Sequence, residues 1–454
     1  MTTIKVLGNR DEGLKKVDFG NELRNFAVSE AVQFSADRAS SNYQVIEGLK
    51  KDDVVELIFE ENIHRWVTVE ELERDFKYQL SRGDEPDVLV IPAQLPTGET
   101  SRGATTWVLK ALRVLKFDPV KKTAEKFAEF WDGKIMPKPG LYRFDKGFDK
   151  PSADIKQLKL KSKKPILLFI HGTFSSTAGG FGSFQLEAWK SLQQEYGDLI
   201  FGYDHQTLSQ SPVENALDLV KRLPPGTKLH LVTHSRGGLV GELLCRSGRK
   251  DKKSPFDDED RKLIAENQNA VKALIELSDL LKQKKISVER FVRVACPARG
   301  TTLASKRLDR WLEIIINVVG KLLPPGAATP YGVITDLLLD FKKQAADPEA
   351  MPGLASMNPE SNFIKMINRS DVELDVNLTV IAGDIEKNDV VGRLAVFFAD
   401  LFYTEEHDLV VPTPAMYGGP TRKKGLYFFH KGPGVHHSSY LWKNWFAPAF
   451  LRSH

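Results

Sequence analysis

From residue 165 onward, short continuous apolar runs alternate with stretches whose apolar residues recur every three or four positions. PILLFIHG (165–172), DLIFGYDH (198–205), KLHLVTHS (228–235), FVRVACPARG (291–300) and LTVIAGD (378–384) read as strands buried on both faces. Between them LEAWKSLQQEYG, SPVENALDLVKRL and GGLVGELLCRSG carry helical spacing. Strands alternating with helices predict a mostly parallel sheet covered on both faces, an α/β region. Two stretches break the alternation. Residues 247–288 are heavily charged with a helical pattern, and residues 305–375 hold the apolar helix RWLEIIINVVGKLL, then PPGAATP, then a second helix, ITDLLLDFKK. Both are expected on the side where active-site loops gather, the second as a helical cap.

Upstream the pattern differs. DVVELIFEE and IHRWVTVEEL predict two strands joined by a tight turn at Glu60–Asn62, and DVLVIPAQL and WVLKALRVLKF predict further strands. VKKTAEKFAEFWDG places Ala124, Phe127, Phe130 and Trp131 at helical spacing. Residues 1–150 are therefore expected to form a small α+β domain, and residues 151–454 the α/β domain with its insertions. The joint near residues 145–163, DKGFDKPSADIKQLKLKSKK, is charged, lacks apolar periodicity and reads as a linker. The upstream domain carries no chemical motif; it is expected to be a scaffold or to recruit a protein partner.

Composition narrows the function. The 454 residues include 64 basic and 60 acidic side chains, a net charge of +4. So small an excess does not mark a nucleic-acid or anionic-membrane binder. Two cysteines, Cys245 and Cys296, cannot build a disulfide scaffold; they fall on a predicted core helix and strand, as packing residues. The first residues, MTTIKVLGNRDEGLKK, have no apolar core of signal-peptide type, and Ile314–Val319 and Leu394–Ala399 are too short to span a bilayer. A cytoplasmic location is expected. There is no H-E-x-x-H and no paired Cys or His spacing, so neither a metal nor another cofactor is expected.

The candidate chemistry lies in KLHLVTHSRGGLVGELL. A buried strand runs into His234-Ser235-Arg236-Gly237-Gly238 and then into an apolar helix. A serine at such a turn is lifted out at the carboxyl edge of the sheet, and the turn aims backbone N–H groups and a helix dipole at the reacting centre. The usual pattern is G-x-S-x-G; Thr233 stands at its first position, which predicts strain in the turn. FIHGTFSSTAGGFG, after the first strand of the region, is a small polar loop suited to bring a second N–H beside the nucleophile. It lacks G-x-G-x-x-G, which argues against a dinucleotide site.

These segments together resemble the lipases and esterases of the α/β-hydrolase superfamily, which carry a similar H-G loop and serine turn in the same order. The resemblance implies that the amides of Thr173 and Arg236 form the oxyanion hole, with Phe174 as a substitute donor. In this fold the acid and the histidine follow the serine in that order. EEHDLVVPTPAM resembles the D-x-V-V-P stretch that carries the acid, which selects Asp408, with Asp384 at a strand end and Asp389 as rivals. GPGVHHSSYLWKNW resembles the histidine loop and selects His437, with His436 as the alternative and His454 set aside as the last residue. VACPARGTTLAS and MPGLASMNPESNFIKMIN resemble further segments of these enzymes, so the likeness spans about residues 165–445.

The implied activity is hydrolysis of a carboxylic ester, with an acyl ester or lipid as substrate class. The alternatives are an acyltransferase on the same scaffold, or a partner-regulated interaction protein whose hydrolase core is latent or inactive. Trp311, Ile314, Ile315, Ile316 and Val318 either line an acyl pocket or pack on the core. Phe397, Phe398, Phe402 and Tyr403 read as core, and His205, at a strand end, as structural.

Overall fold

A computed structural model of the chain describes residues 1–15, 26–34, 43–60, 63–75, 81–82, 88–97, 105–117, 123–155, 158, 164–182, 184, 186–251, 254–301, 308–309, 312–313, 316–317, 330–344, 351–385, 410–422, 424–432 and 435. Its contacts divide the chain into two compact units. One joins Met1–Thr123 to Asp309–Ala346; the other holds Ala124–Leu308 and most of the chain after Asp347.

The first unit is built on a nine-stranded sheet. Its strands are β1 (Thr2–Arg10), β2 (Phe26–Phe34), β3 (Tyr43–Leu49), β4 (Val54–Phe59), β5 (His64–Thr68), β6 (Ser81–Arg82), β7 (Val88–Ile91), β8 (Gln94–Thr97) and β9 (Thr105–Phe117). The order is β5-β4-β9-β2-β1-β7-β6, with β3 on β1 and β8 on β9. The predicted hairpin is present: β4 pairs antiparallel with β5, Val55 opposite Val67. A short helix, α1 (Val69–Asp75), follows β5.

Edge strand β5 would leave backbone groups open. Residues from the later excursion fill them. Asn317 accepts from the His64 N–H at 2.8 Å and donates to the His64 carbonyl at 2.8 Å, and Glu313 accepts from the Trp66 N–H at 3.1 Å. Lys342, on the helix Pro330–Gln344, meets Glu71 at 2.9 Å and Asp309 at 3.3 Å. The stretch expected as a cap on the α/β sheet is thus divided: Asp309–Ala346 clusters with the first unit, and the residues from Asp347 onward with the second.

In the second unit the predicted alternation appears as an eight-stranded sheet. The strands are β10 (Gly140–Arg143), β11 (Ala153–Ile155), β12 (Ile166–Ile170), β13 (Ile200–Asp204), β14 (Lys228–His234), β15 (Ser287–Val294), β17 (Asn377–Ile385) and β19 (Gly425–Gly432). A separate small ladder joins β16 (Glu373–Leu374) to β18 (Thr421–Arg422). The order is β11-β10-β13-β12-β14-β15-β17-β19. The last six run parallel, while β10 and β11 are antiparallel to their neighbours. Every residue of β12 is buried, as a central parallel strand requires. The helices before β15 are α2 (Ala124–Ile135), α3 (Thr177–Phe181), α4 (Leu186–Tyr196), α5 (Pro212–Arg222), α6 (Gly237–Cys245), α7 (Asp258–Leu263) and α8 (Gln268–Lys284), and two short helices, Pro352–Ala355 and Asn362–Ile367, follow it. A capping box of Ser211 and Glu214 starts α5.

Two expectations change here. The boundary between units falls at Thr123–Ala124, so α2 and residues up to 150 belong with the parallel sheet. The charged joint near 145–163 is also more than a linker. It carries β11, and its Phe148 sits at the centre of the aromatic core, with ring centroids 4.4 Å from Phe169 and 5.0 Å from Trp189. Apolar side chains scattered among charges have no periodicity to detect, yet Phe148 anchors the segment by burial. Among the described residues, no helix is long and apolar enough to cross a membrane.

Candidate active site

Parallel strands bring the chain segments that follow them to one edge of the sheet. At that edge β14 ends at His234 and α6 begins at Gly237, leaving two residues for the turn. Ser235 takes up the reversal with φ 52°, a left-handed conformation costly for a residue with a Cβ. Its N–H donates to the Val294 carbonyl at 2.9 Å, and its carbonyl accepts from the Gly238 N–H at 2.9 Å. The serine is held in place by backbone, and no described residue hydrogen-bonds its hydroxyl.

The turn closes only because its neighbours lack side chains. A Cβ on Gly237 would lie 2.5 Å from the His171 carbonyl oxygen and collide with that of Ile170. One on Gly238 would lie 2.7 Å from Cys296 Cβ, and one on Gly172 would lie 2.7 Å from Ser235 Cβ and 3.3 Å from its Oγ. Gly172 therefore packs its backbone directly on the serine. Thr233, expected to strain the turn, is accommodated: a Cβ on Gly241 would stand 3.3 Å from Thr233 Cγ2, so the missing side chain one helical turn into α6 makes the room.

The loop after β12 is fixed on both sides of Thr173. Phe174 is left-handed at φ 54°, and its N–H donates to Thr207 Oγ1 at 3.2 Å. That bond removes Phe174 as a spare oxyanion donor. No described residue accepts from the backbone N–H of Thr173 or of Arg236, whereas buried amides are almost always paired.

Asp132 organises this edge, and sequence reasoning missed it. On the buried side of α2, its carboxylate accepts from the N–H groups of Thr207 (3.0 Å), Leu208 (3.1 Å) and Ser209 (2.7 Å), and from the Ser209 hydroxyl at 2.6 Å. The loop so held presents Thr207 to Phe174 and the Gln210 carbonyl to Arg236. Arg236 is fully buried and bonds only neutral acceptors: Gln210 O at 2.5 Å, Asn215 Oδ1 at 2.8 Å and Gly353 O at 3.2 Å. Burial pushes its guanidinium down to about 10. The available signal was an aspartate four residues after Ala128, on the apolar face of an amphipathic helix.

His171 and His205 stack at 4.2 Å and are both buried. His171 Nδ1 faces the Gly172 carbonyl at 2.8 Å and its Nε2 accepts from the His205 N–H at 3.0 Å, which fixes the neutral Nδ1–H tautomer. Desolvation lowers the pKa of both rings. His171 thus serves the loop's architecture and has no free nitrogen for a proton.

The acid and histidine segments are seen through their neighbours. Asp408, Asp389, His436, His437 and His454 lie outside the described residues, as do Trp311, Ile314, Ile315, Val318, Phe397, Phe398, Phe402 and Tyr403. The chain from Val410 onward is tied to the loop after β15 and to β17: Thr301 Oγ1 donates to the Val410 carbonyl at 3.0 Å, and Thr413 Oγ1 to that of Gly383 at 2.8 Å. Arg293 on β15 holds Glu242 of α6 at 2.5 Å and donates to the carbonyls of Met416 (2.9 Å) and Gly418 (2.6 Å). Val435 is buried in the core around Phe169, its N–H on the Gly432 carbonyl at the end of β19. The rival acid, Asp384, lies in the last two residues of β17 and is paired with Lys431 at 2.6 Å.

Cys245 and Cys296 are buried and free, and burial raises both thiols, that of Cys296 to about 12. Among the described residues no group of three or more His, Cys, Asp or Glu side chains could hold a metal ion.

A family model described as "Domain of unknown function (DUF7379)" matches residues 137–259 and 270–452. No curated protein matches the chain. Among solved structures it is similar to lipase 1 from Pelosinus fermentans (13% identity, 64% of this chain and 98% of that chain, TM-score 0.39). It is also similar to EstA from Clostridium botulinum (12% identity, 74% and 98%, TM-score 0.40) and to the Staphylococcus hyicus lipase (16% identity, 64% and 94%, TM-score 0.37).

Proposed function

The chain belongs to the DUF7379 family, defined by a domain of unknown function, and we propose that it is a serine hydrolase of the α/β-hydrolase class that cleaves a carboxylic ester. The observation that carries this function is Ser235 in a left-handed turn between a buried parallel strand and a helix, with the backbone of Gly172 packed on it. A strained serine persists only where the surroundings over-determine it, and such strain concentrates at functional sites.

Ser235 Oγ attacks the ester carbonyl carbon while His437 takes its proton and Asp408 fixes the imidazole. The carbonyl electron pair moves onto oxygen, where the Thr173 and Arg236 N–H groups stabilise it. Collapse expels the alcohol, which leaves with the proton from His437, and water then releases the acid from the acyl-serine by the same steps in reverse order. Asp408 and His437 are assigned on the resemblance of their segments. Supporting them, Val410 is held by Thr301 in the loop after β15, Thr413 bonds the Gly383 carbonyl in β17, and Val435 lies just past β19. The substrate class, an acyl ester or lipid ester, follows from the same resemblance.

The test is a set of p-nitrophenyl esters of graded acyl length, followed from the first turnover. The expected result is steady hydrolysis, with a burst of p-nitrophenol where deacylation is slow. A folded full-length chain that hydrolyses none of them, while transferring no acyl group to an added alcohol either, would remove the ester-cleaving function.

A further inference from the structure

On the loop that faces Ser235, nearly every hydroxyl group is in use. Ser175 Oγ donates to the Ser176 carbonyl, Ser176 Oγ accepts from the Gly179 N–H, Thr177 Oγ1 donates to Asp204, and Thr207 Oγ1 accepts from the Phe174 N–H. Thr173 Oγ1 is the exception. It is buried with no hydrogen-bond partner, on a residue only 9% exposed. A buried hydroxyl without a partner is uncommon enough in a native fold to call for an explanation.

Its position supplies one. Thr173 stands between Gly172, whose backbone packs against Ser235, and Phe174, whose N–H is locked on Thr207. Pinned on both sides, it has little backbone freedom, and its β-branched side chain has few rotamers. Among the described residues, nothing accepts from its backbone N–H either. One residue therefore offers two unused donors beside the serine.

We propose that the Thr173 hydroxyl is a third donor to the oxyanion, acting alongside the backbone N–H groups of Thr173 and Arg236. This rests on the serine-hydrolase function proposed above and extends it. The hydroxyl keeps its proton throughout. When Ser235 Oγ bonds to the carbonyl carbon and the electron pair shifts to oxygen, the Thr173 O–H turns its hydrogen toward that oxygen. In the resting enzyme it has nothing to release, because it is unpartnered, so the bond forms only as charge develops and acts on the transition state alone.

The experiment compares Thr173→Val and Thr173→Ser in the full chain. Valine keeps the shape and the backbone N–H but removes the hydroxyl; serine keeps the hydroxyl. Thr173→Val is expected to lower kcat about 100-fold with KM nearly unchanged, and to weaken a trifluoromethyl ketone, whose adduct carries the oxyanion, by a similar factor. Thr173→Ser is expected to recover most of both losses. The melting temperature of Thr173→Val should equal or exceed that of the wild type, since a buried unpaired hydroxyl is replaced by a methyl group. If the wild type turns over esters while Thr173→Val retains its full kcat, or if valine and serine variants are equally impaired, the third donor is overturned and the hydrolase stands. If the wild type neither turns over esters nor reacts with a fluorophosphonate, the hydrolase falls and the third donor with it.

Discussion

Replacing Ser235 by alanine is expected to lower ester turnover by about 10⁴-fold or more, as for other enzymes that lose a serine nucleophile, while leaving the fold intact. The bonds that hold the turn come from the backbone of residue 235, its N–H on Val294 and its carbonyl on Gly238. They do not depend on the hydroxyl. The residue is also left-handed, at φ 52°. Ser235→Gly should therefore be as inactive as the alanine variant yet more stable than it, by about 1 kcal/mol, because glycine adopts this conformation without a Cβ penalty. Initial rates on a p-nitrophenyl ester and thermal denaturation of the three proteins measure both effects. A glycine variant no more stable than the alanine variant would show that the turn carries no strain.

Gly237→Ala is expected to be severely damaging at the serine turn. Its Cβ would lie 2.5 Å from the His171 carbonyl oxygen and would also strike that of Ile170. Both are backbone atoms of the segment entering the oxyanion loop, so relief requires moving β12 away from α6. Overpacking of this kind costs about 3 kcal/mol and sometimes more, and it displaces Gly172 from Ser235, so activity should fall together with stability. Gly133→Ala, in α2, is the matched control. A Cβ there meets nothing within 4 Å, so the better helix former should add about 0.5–1 kcal/mol. Denaturant midpoints of the two variants are expected to move in opposite directions. Shifts of the same sign would contradict the packing described at the turn.

What could be read from the residues follows from how strongly each element depends on local pattern. Strands β12, β13, β14, β15 and β17 are apolar runs because both of their faces are covered, and they are legible for that reason. Strands β10 and β11 are only four and three residues long, and β11 forms the sheet's edge. They carry little apolar signal, so the pattern there predicts only a domain end and a linker. Strand β19, GLYFFHKG, leaves Leu426, Tyr427 and Phe429 exposed, so hydrophobicity there does not report burial.

The candidate site divides in the same way. The serine turn is a local motif, and its glycines are legible because the reason for them is local. The contribution of Asp132 is not local. Its four partner groups lie on Thr207, Leu208 and Ser209, more than 70 residues away, and only folding brings them together. The tolerance of Thr233 likewise depends on Gly241, one helical turn into α6. The recruitment of Glu313 and Asn317 to the edge of β5 could not be read from RWLEIIINVVGKLL, whose apolar residues suit a cap and a core helix equally well.

The most direct measurement of the central claim is mass spectrometry of the full chain after reaction with a fluorophosphonate. A single adduct is predicted, mapping to the peptide that contains Ser235 and absent from the Ser235→Ala protein. An unlabelled wild type, or an adduct on a different serine, would contradict the assignment of this residue as the nucleophile.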